Sequence, residues 1–432
     1  MLAAAGSAVG LGAIWKFPYM AGSYGGSVFI LLFVLCMFLI SLPVLIAEFM
    51  IGRRGQQDAI TSFKTQAPGT PWYLTGYVGM IVSALILSFY SVVGGWILSY
   101  LARTIMFSLK PTDGETYATL FTKITESPWE MVIAQGAFFL LIIFIVQAGI
   151  KSGIERASKI MMPALFICFV ILIVRSLTLD GAMEGVRFMF VPDWSNLNWE
   201  TVLLALGQAF FTLSVGISIM ITYASYLGKK ENIASTAVTV AGMNIFISLL
   251  AGLVIFPAVF SFGFEPDAGP GLVFVVLPAV FEQMPFGTLF LILFFILLLF
   301  ATATSAMSLL ETVVSVVLGE KRQGRVRTTW IVGMIIFAIG VPSALSAGVL
   351  SHIQILGRSI FEFVDFATNS IGMPIGAFLI AIFAGYYYSK EVSEKELNVS
   401  PFWYNAWRLS IRYLVPIAIV VIFVQGLLPL FQ

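Results

Sequence analysis

Charge is what this chain has least of. Only 10% of its 432 residues are Asp, Glu, Lys or Arg, against 59% apolar, and its mean hydropathy is +0.99. A water-soluble domain carries about 25% charged residues, so lipid is the expected solvent for most of this surface. The net charge of +1 gives no electrostatic basis for a nucleic-acid partner. Cysteine is almost absent. Cys36 and Cys168 both lie in apolar runs and read as small buried hydrophobes, not as a disulfide or metal ligands. The single histidine is His352 and no H-E-x-x-H occurs, which argues against an intramembrane enzyme. The start is apolar without a basic leader, so no cleavable signal peptide is expected.

What the chain has is hydrophobic length. Apolar segments long enough to cross a bilayer recur at 1–18, 27–51, 75–107, 131–147, 153–177, 199–226, 234–262, 287–318, 328–347, 361–388 and 401–430. The expected fold is an all-α membrane protein of about eleven transmembrane helices in one domain. The connecting loops alternate in charge. One set carries Arg53, Arg54, Lys64, Lys151, Arg156, Lys159, Lys229, Lys230, Lys321, Arg322, Arg325, Arg327, Lys390 and Lys395. The other carries only Lys110, Lys123, Arg187 and Arg358, with none in 263–286. The richer set is assigned to the cytoplasm, which places the N-terminus inside and the loop at 19–26 outside. An inner (plasma) membrane location is expected.

Two spans carry unusual interruptions. The first reads GSAVGLG at residues 6–12, and the sixth reads FFTLSVGIS at 210–218. Paired helix breaks expose backbone carbonyls to cations and half-helix N-termini to anionic groups, most often in transporters built from two inverted repeats. The spacing fits a 5+5 inverted repeat, 1–177 and 199–388, followed by a last helix at 401–430, with helices 1 and 6 discontinuous. No repeat is readable residue by residue. Neutral oxygens also gather inside spans: Thr302, Thr304, Ser305 and Ser308 in the eighth, Asn244 and Ser248 in the seventh. Such oxygens suit a hard cation that must also leave again; they equally serve as glue between membrane helices. Lys16 and Asp365 are an unlike pair near the external end, placed to close an outer gate, whereas Glu48 and Glu311 lie towards the cytoplasmic side.

GSAVGLGAIWKFPYMAGSYGG, LPVLIAEFMIGRRG, KSGIERASKIMMPALF, GQAFFTLSVGISIMITYASYLGKKENI and FATATSAMSLLE together resemble the neurotransmitter:sodium symporter family along most of the chain. The resemblance implies sodium-coupled symport of a small amine or amino acid by alternating access, with no enzymatic activity. It implies two sodium sites. The second would use the carbonyls of Gly6, Val9 and Ala301 and the hydroxyls of Thr304 and Ser305. The first would use the Ala8 carbonyl, Thr212, Asn244 and the substrate carboxylate; the family's frequent amide ligand falls at Ala13 here. The substrate would be lined by Ala8, Gly10, Leu11, Gly12, Ile86, Tyr90, Phe211, Thr212, Ser214, Ile217, Ser305 and Leu309. Amine carriers hold an aspartate where Gly10 stands, so a neutral hydrophobic L-amino acid, aliphatic or aromatic, is expected.

The gates follow the same resemblance. Phe211 and Tyr90 would form a lid beneath Lys16 and Asp365, and lysine in place of the family's arginine forgoes bidentate pairing. On the inner side Ser225 and Tyr226 match, Glu48 is a further gate candidate, the usual helix-8 aspartate aligns with Gly319 beside Glu320, and the family's arginine and tryptophan precede Met1. Chloride is doubtful: Gln208, Thr212 and Ser248 match the anion site, but its tyrosine position is Phe33. Unwinding between Gly153 and Pro163 is expected to admit water to the second sodium. The expected partners are the amino acid and lipid, with the chain a monomer or dimer. A sodium-selective channel, or coupled carriage of another zwitterion, is the rival reading.

Overall fold

A backbone in hydrocarbon must satisfy its own N–H and C=O groups, and a helix does so within one segment. Among the residues described by the computed structural model (6–111, 115–228, 231–266, 269, 271–319 and 324–428), nine helices are long and apolar enough to span. Expectations on residues 1–5, Lys229, Lys230, Glu320, Lys321 and Arg322 lie outside the described residues. The nine are α2 (Ser27–Gly55), α3 (Tyr73–Ile105), α4 (Pro128–Val146), α5 (Ile150–Leu177), α7 (Ile233–Ser261), α8 (Gly287–Leu318), α9 (Arg325–Ala344), α10 (Ile360–Tyr387) and α11 (Pro401–Leu427). Several far exceed the ~20 residues a bilayer requires, α3 reaching 33, so they tilt or extend beyond it.

The remaining two spans are the broken ones. In α1, residues 6–8 are helical, the chain bends at 9–10, and a π-helical stretch Gly12–Lys16 runs into Phe17–Ser23. The break is therefore narrower than 6–12, and the external loop shrinks from 19–26 to 24–26, because Pro18 takes a first-turn position that proline suits and the helix continues. α6 divides into Trp199–Leu213 and Ile219–Ala224. Between them Ser214, Gly216 and Ser218 have φ of 54°, 89° and 63°. Left-handed backbone at two serines is strained, and such strain concentrates at functional sites.

Packing sorts the helices into two groups. α3 packs most heavily against α8, α4 and α9, while the halves of α6 pack on α2, and α7 packs on α1 and α2. α5 bridges the groups through α7 and α8. Short helices at Tyr117–Glu126, Ala182–Phe190 and Leu277–Glu282 cover one end, and Ala59–Gln66 and Lys390–Leu397 the other. The strand content of the described residues is one two-residue hairpin pairing, Gln354–Ile355 with Arg358–Ser359.

α5 departs from expectation. Residues 153–163 are helical: a π-helical turn covers Ile150–Ile154 and an α-helix runs on through Pro163. Proline removes only one backbone donor, and a membrane helix tolerates that where neighbouring helices cover the site. Gly153 is required for close packing, since a Cβ there would strike the Ile145 carbonyl.

Candidate functional site

The break in α1 turns three carbonyls towards polar side chains of α7 and α8. Asn244 of α7 donates Nδ2 to the Ala8 carbonyl at 2.5 Å and to the Thr212 carbonyl at 3.1 Å. Its Oδ1 is buried without a hydrogen-bond partner. On α8, the Thr304 hydroxyl donates to the carbonyls of Ala301 (2.9 Å) and Val9 (3.3 Å), and the Ser305 hydroxyl to that of Ser7 (3.0 Å). Gly6 sits where a side chain would meet Met162 and Ser158 of α5. Gln208 Nε2 reaches the Gly12 carbonyl (2.7 Å) and the Thr212 hydroxyl (2.8 Å), leaving its Oε1 unpartnered. The Ser7 and Ser218 hydroxyls are unpartnered too. Buried polar atoms are nearly always paired in folded proteins, so this concentration of unused oxygens marks a place built for something else.

Beside it lies a small chamber of about 30 Å³. It is walled by all the expected substrate residues except Leu11. The Leu11 side chain is buried elsewhere; the residue takes part through its amide, which donates to the Tyr90 hydroxyl at 3.1 Å. Three residues absent from the expected set also line the chamber: Ser7, Ile219 and Met373. Ser7 lies within the GSAVGLG stretch, which could have flagged it. Met373 sits in an ordinary apolar run of α10, where nothing local distinguishes it. Gly10 admits no side chain in this arrangement: a Cβ would collide with the Ser305 hydroxyl and stand 2.8 Å from that of Tyr90. The chamber therefore has no fixed anion at that position.

Two larger cavities are present, one of which shares Phe211 and Met373 with the chamber. The outer one, about 330 Å³, is bordered by Lys16, Phe211 and Arg358. The inner one, about 290 Å³, is bordered by Gln57, Asp58, Ser225, Tyr226 and Arg325. Lys16 and Asp365 do not form the expected bridge. The Lys16 ammonium lies 4.2 Å from the Phe211 ring centroid, a cation–π contact. Asp365 accepts from Asn369 Nδ2 at 2.6 Å instead. Lysine's single flexible ammonium has no planar fork to hold it on a carboxylate, and it rests on the aromatic face instead.

Glu48 is not at a gate. It is fully buried, and its Oε1 accepts from the Gly216 amide at 2.6 Å, so it braces the break of α6. The break leaves helix amides without intrahelical acceptors, and a carboxylate is a strong one. Glu311 is likewise fully buried and paired with Arg325, whose guanidinium also reaches the Val146 carbonyl at 2.9 Å. Phe33 packs on Phe17 with ring centroids 4.9 Å apart, and the Ser248 hydroxyl turns back to the Asn244 carbonyl at 2.9 Å. In the short helix Tyr117–Glu126, Tyr117 donates to Glu282 at 2.8 Å; burial first, and that bond second, hold its phenol above the usual pKa.

The family model described as the sodium:neurotransmitter symporter family matches residues 1–120 and 117–431. This chain belongs to that family. It is 48% identical over 429 residues to an uncharacterized sodium-dependent transporter of Bacillus subtilis, covering 98% of this chain and 95% of the relative. It is 36% identical to an uncharacterized sodium-dependent transporter of Haemophilus influenzae, covering 99% and 96%. The crystal structure of MhsT in complex with L-phenylalanine matches with a TM-score of 0.91 at 43% identity, over 98% of this chain and 97% of that one.

As a sodium:neurotransmitter symporter family member, the chain is a multi-pass, sodium-dependent membrane transporter and not an enzyme. The donor set at the break fits sodium. It consists of neutral oxygens, and turning the Asn244 amide about its terminal bond places the unpartnered Oδ1 beside the Ala8 and Thr212 carbonyls.

Proposed function

We propose that this chain carries neutral hydrophobic L-amino acids into the cell together with sodium, by alternating access. The observation that carries the reading is the junction of two features. A cation-ready oxygen cluster at Ala8, Thr212 and Asn244 borders a chamber whose remaining walls are largely apolar and which holds no anion at Gly10. A zwitterion satisfies both: its carboxylate completes the sodium shell and meets the Tyr90 hydroxyl and the α1 amides, while its side chain lies among Ile86, Ile217 and Leu309. The L-phenylalanine held by MhsT supports this substrate class. A second sodium at Val9, Ala301, Thr304 and Ser305, together with Gly6, ties α1 to α8, whose hydroxyls already reach the α1 carbonyls.

Coupling follows from shared ligands. Substrate and the first sodium complete each other's coordination, so each raises the affinity for the other. The two inverted repeats 1–177 and 199–388 rock about the site, with the N-terminus cytoplasmic, in the plasma membrane. Chloride is not required. Phe33 presents a hydrocarbon edge where the anion site would need a hydroxyl, and the Ser248 hydroxyl is already used within α7.

The test is uptake of radiolabelled leucine and tryptophan into proteoliposomes under an inward sodium gradient, with potassium as control. Sodium-dependent uptake, unaffected by replacing chloride with gluconate, is expected. Sodium flux without amino-acid accumulation would identify a channel and overturn the reading.

A further inference from the structure

Met373 belongs to α10, outside the helices expected to contact substrate. It is 3% exposed and walls both the chamber and the outer vestibule. Among the described residues only Phe211 shares that position. The partition between vestibule and chamber is thus shared by Phe211 of α6 and Met373 of α10.

The seat of Met373 is rigid. At Gly216, φ is 89°, and a Cβ would fall on the Met373 carbonyl oxygen; at Gly376 a Cβ would fall on the Gly216 carbonyl oxygen. The α10 backbone therefore abuts the α6 break with no side chain between them. The side chain on that seat is the opposite of rigid. The other aliphatic walls are Ile86, Ile217, Ile219 and Leu309, three of them β-branched and stiff at χ1. Methionine is unbranched, polarizable and adapts to irregular space, and its sulfur contacts aromatic rings favourably.

We propose that Met373 is a specificity-determining residue: the one yielding wall of the chamber, which sets the largest side chain the transporter accepts and lets aromatic and aliphatic amino acids share one site. The inference rests on the hydrophobic amino-acid reading above. Shortening Met373 enlarges the chamber towards α10 and favours the largest ligands. Replacing it with a β-branched residue keeps the volume but removes the adaptability.

The experiment uses the full chain in proteoliposomes. Sodium-dependent uptake of radiolabelled leucine is competed with tryptophan, phenylalanine and valine, for wild type, Met373→Ala, Met373→Ile and Met373→Leu. Met373→Ala, which removes Cγ, Sδ and Cε, is expected to shift the tryptophan-to-valine inhibition ratio towards tryptophan by at least about tenfold, since even one methylene in a pocket is worth that much. Met373→Ile is expected to shift it towards valine, with Met373→Leu between. A purely structural role would move all inhibition constants by one common factor, and that result, or no movement in any, overturns the proposal. If Met373→Ala fails to fold, the volume-conserving Ile and Leu variants carry the same decision. Absence of sodium-dependent competition by any amino acid in the wild type overturns the substrate reading, and the inference with it. Sodium-dependent competition in the wild type with an unchanged ratio in the variants overturns the inference alone.

Discussion

The two mouths of the molecule treat charge differently. At the inner end the ionisable groups are spent. Arg53 binds the Glu396 carboxylate at 2.7 Å and the Glu231 carbonyl at 2.5 Å, and Glu311 pairs with Arg325. At the outer end Lys16 rests on an aromatic ring and Asp365 on an amide, with no bridge between them. The contrast separates two uses of buried charge. A pair held by several further hydrogen bonds is architecture, and losing either partner strands a charge in a low dielectric. Two opposite charges that each rest on a neutral group and form no bridge with one another remain available to pair.

The largest effect is expected at the Glu311–Arg325 pair. Arg325→Ala removes the guanidinium that neutralises fully buried Glu311 and is expected to cost about 3–5 kcal/mol. A large fall in the thermal unfolding midpoint in detergent checks it; an unchanged midpoint would place Glu311 among the movable charges. Asp365→Asn should do the reverse. Its amide keeps an acceptor for Asn369, so stability should shift by less than about 1 kcal/mol, while leucine uptake should fall roughly tenfold as closure over Lys16 is lost. Equal effects on binding and transport would show a structural role instead.

Gly10→Ala tests the centre between the mouths. The added methyl meets the Ser305 and Tyr90 hydroxyls, so sodium-dependent substrate binding should weaken by about tenfold or more. Scintillation-proximity binding reads this without requiring transport. The smallest effect belongs to Lys16→Arg. Guanidinium stacks on Phe211 as well as ammonium does and adds a planar fork for Asp365. Uptake should change by no more than about threefold, with slower substrate release; a tenfold loss would mean that the cavity around Lys16 is shaped for lysine alone.

The expectations that held were carried by local signals. Glycine-rich breaks at 6–12 and 210–218 and apolar runs of spanning length are legible because backbone freedom and hydropathy are properties of a short window of chain. Even so the window blurs: α1 runs on to Ser23 through Pro18, and α5 stays helical from Gly153 to Pro163, since proline's effect depends on what packs around it. The long polar side chains were harder. Glu48 reads as a gate only until α6 is folded beside it and Gly216 presents its amide 168 residues away in sequence. Lys16 and Asp365 read as a bridge because opposite charge is visible in a sequence, while the competing face of Phe211 is not.

Composition, hydropathy and glycine placement determined that this chain lives in lipid, that it crosses repeatedly, and roughly where two of its helices break. Those follow from transfer free energies and backbone conformational preferences that act residue by residue. Only the tertiary structure decided which freed carbonyls meet Asn244, that Met373 of α10 lines the chamber, and that Lys16 and Asp365 form no bridge while Glu311 and Arg325 do. Each of those is a contact between segments far apart in the chain, where distance and direction, not residue type, select the partner.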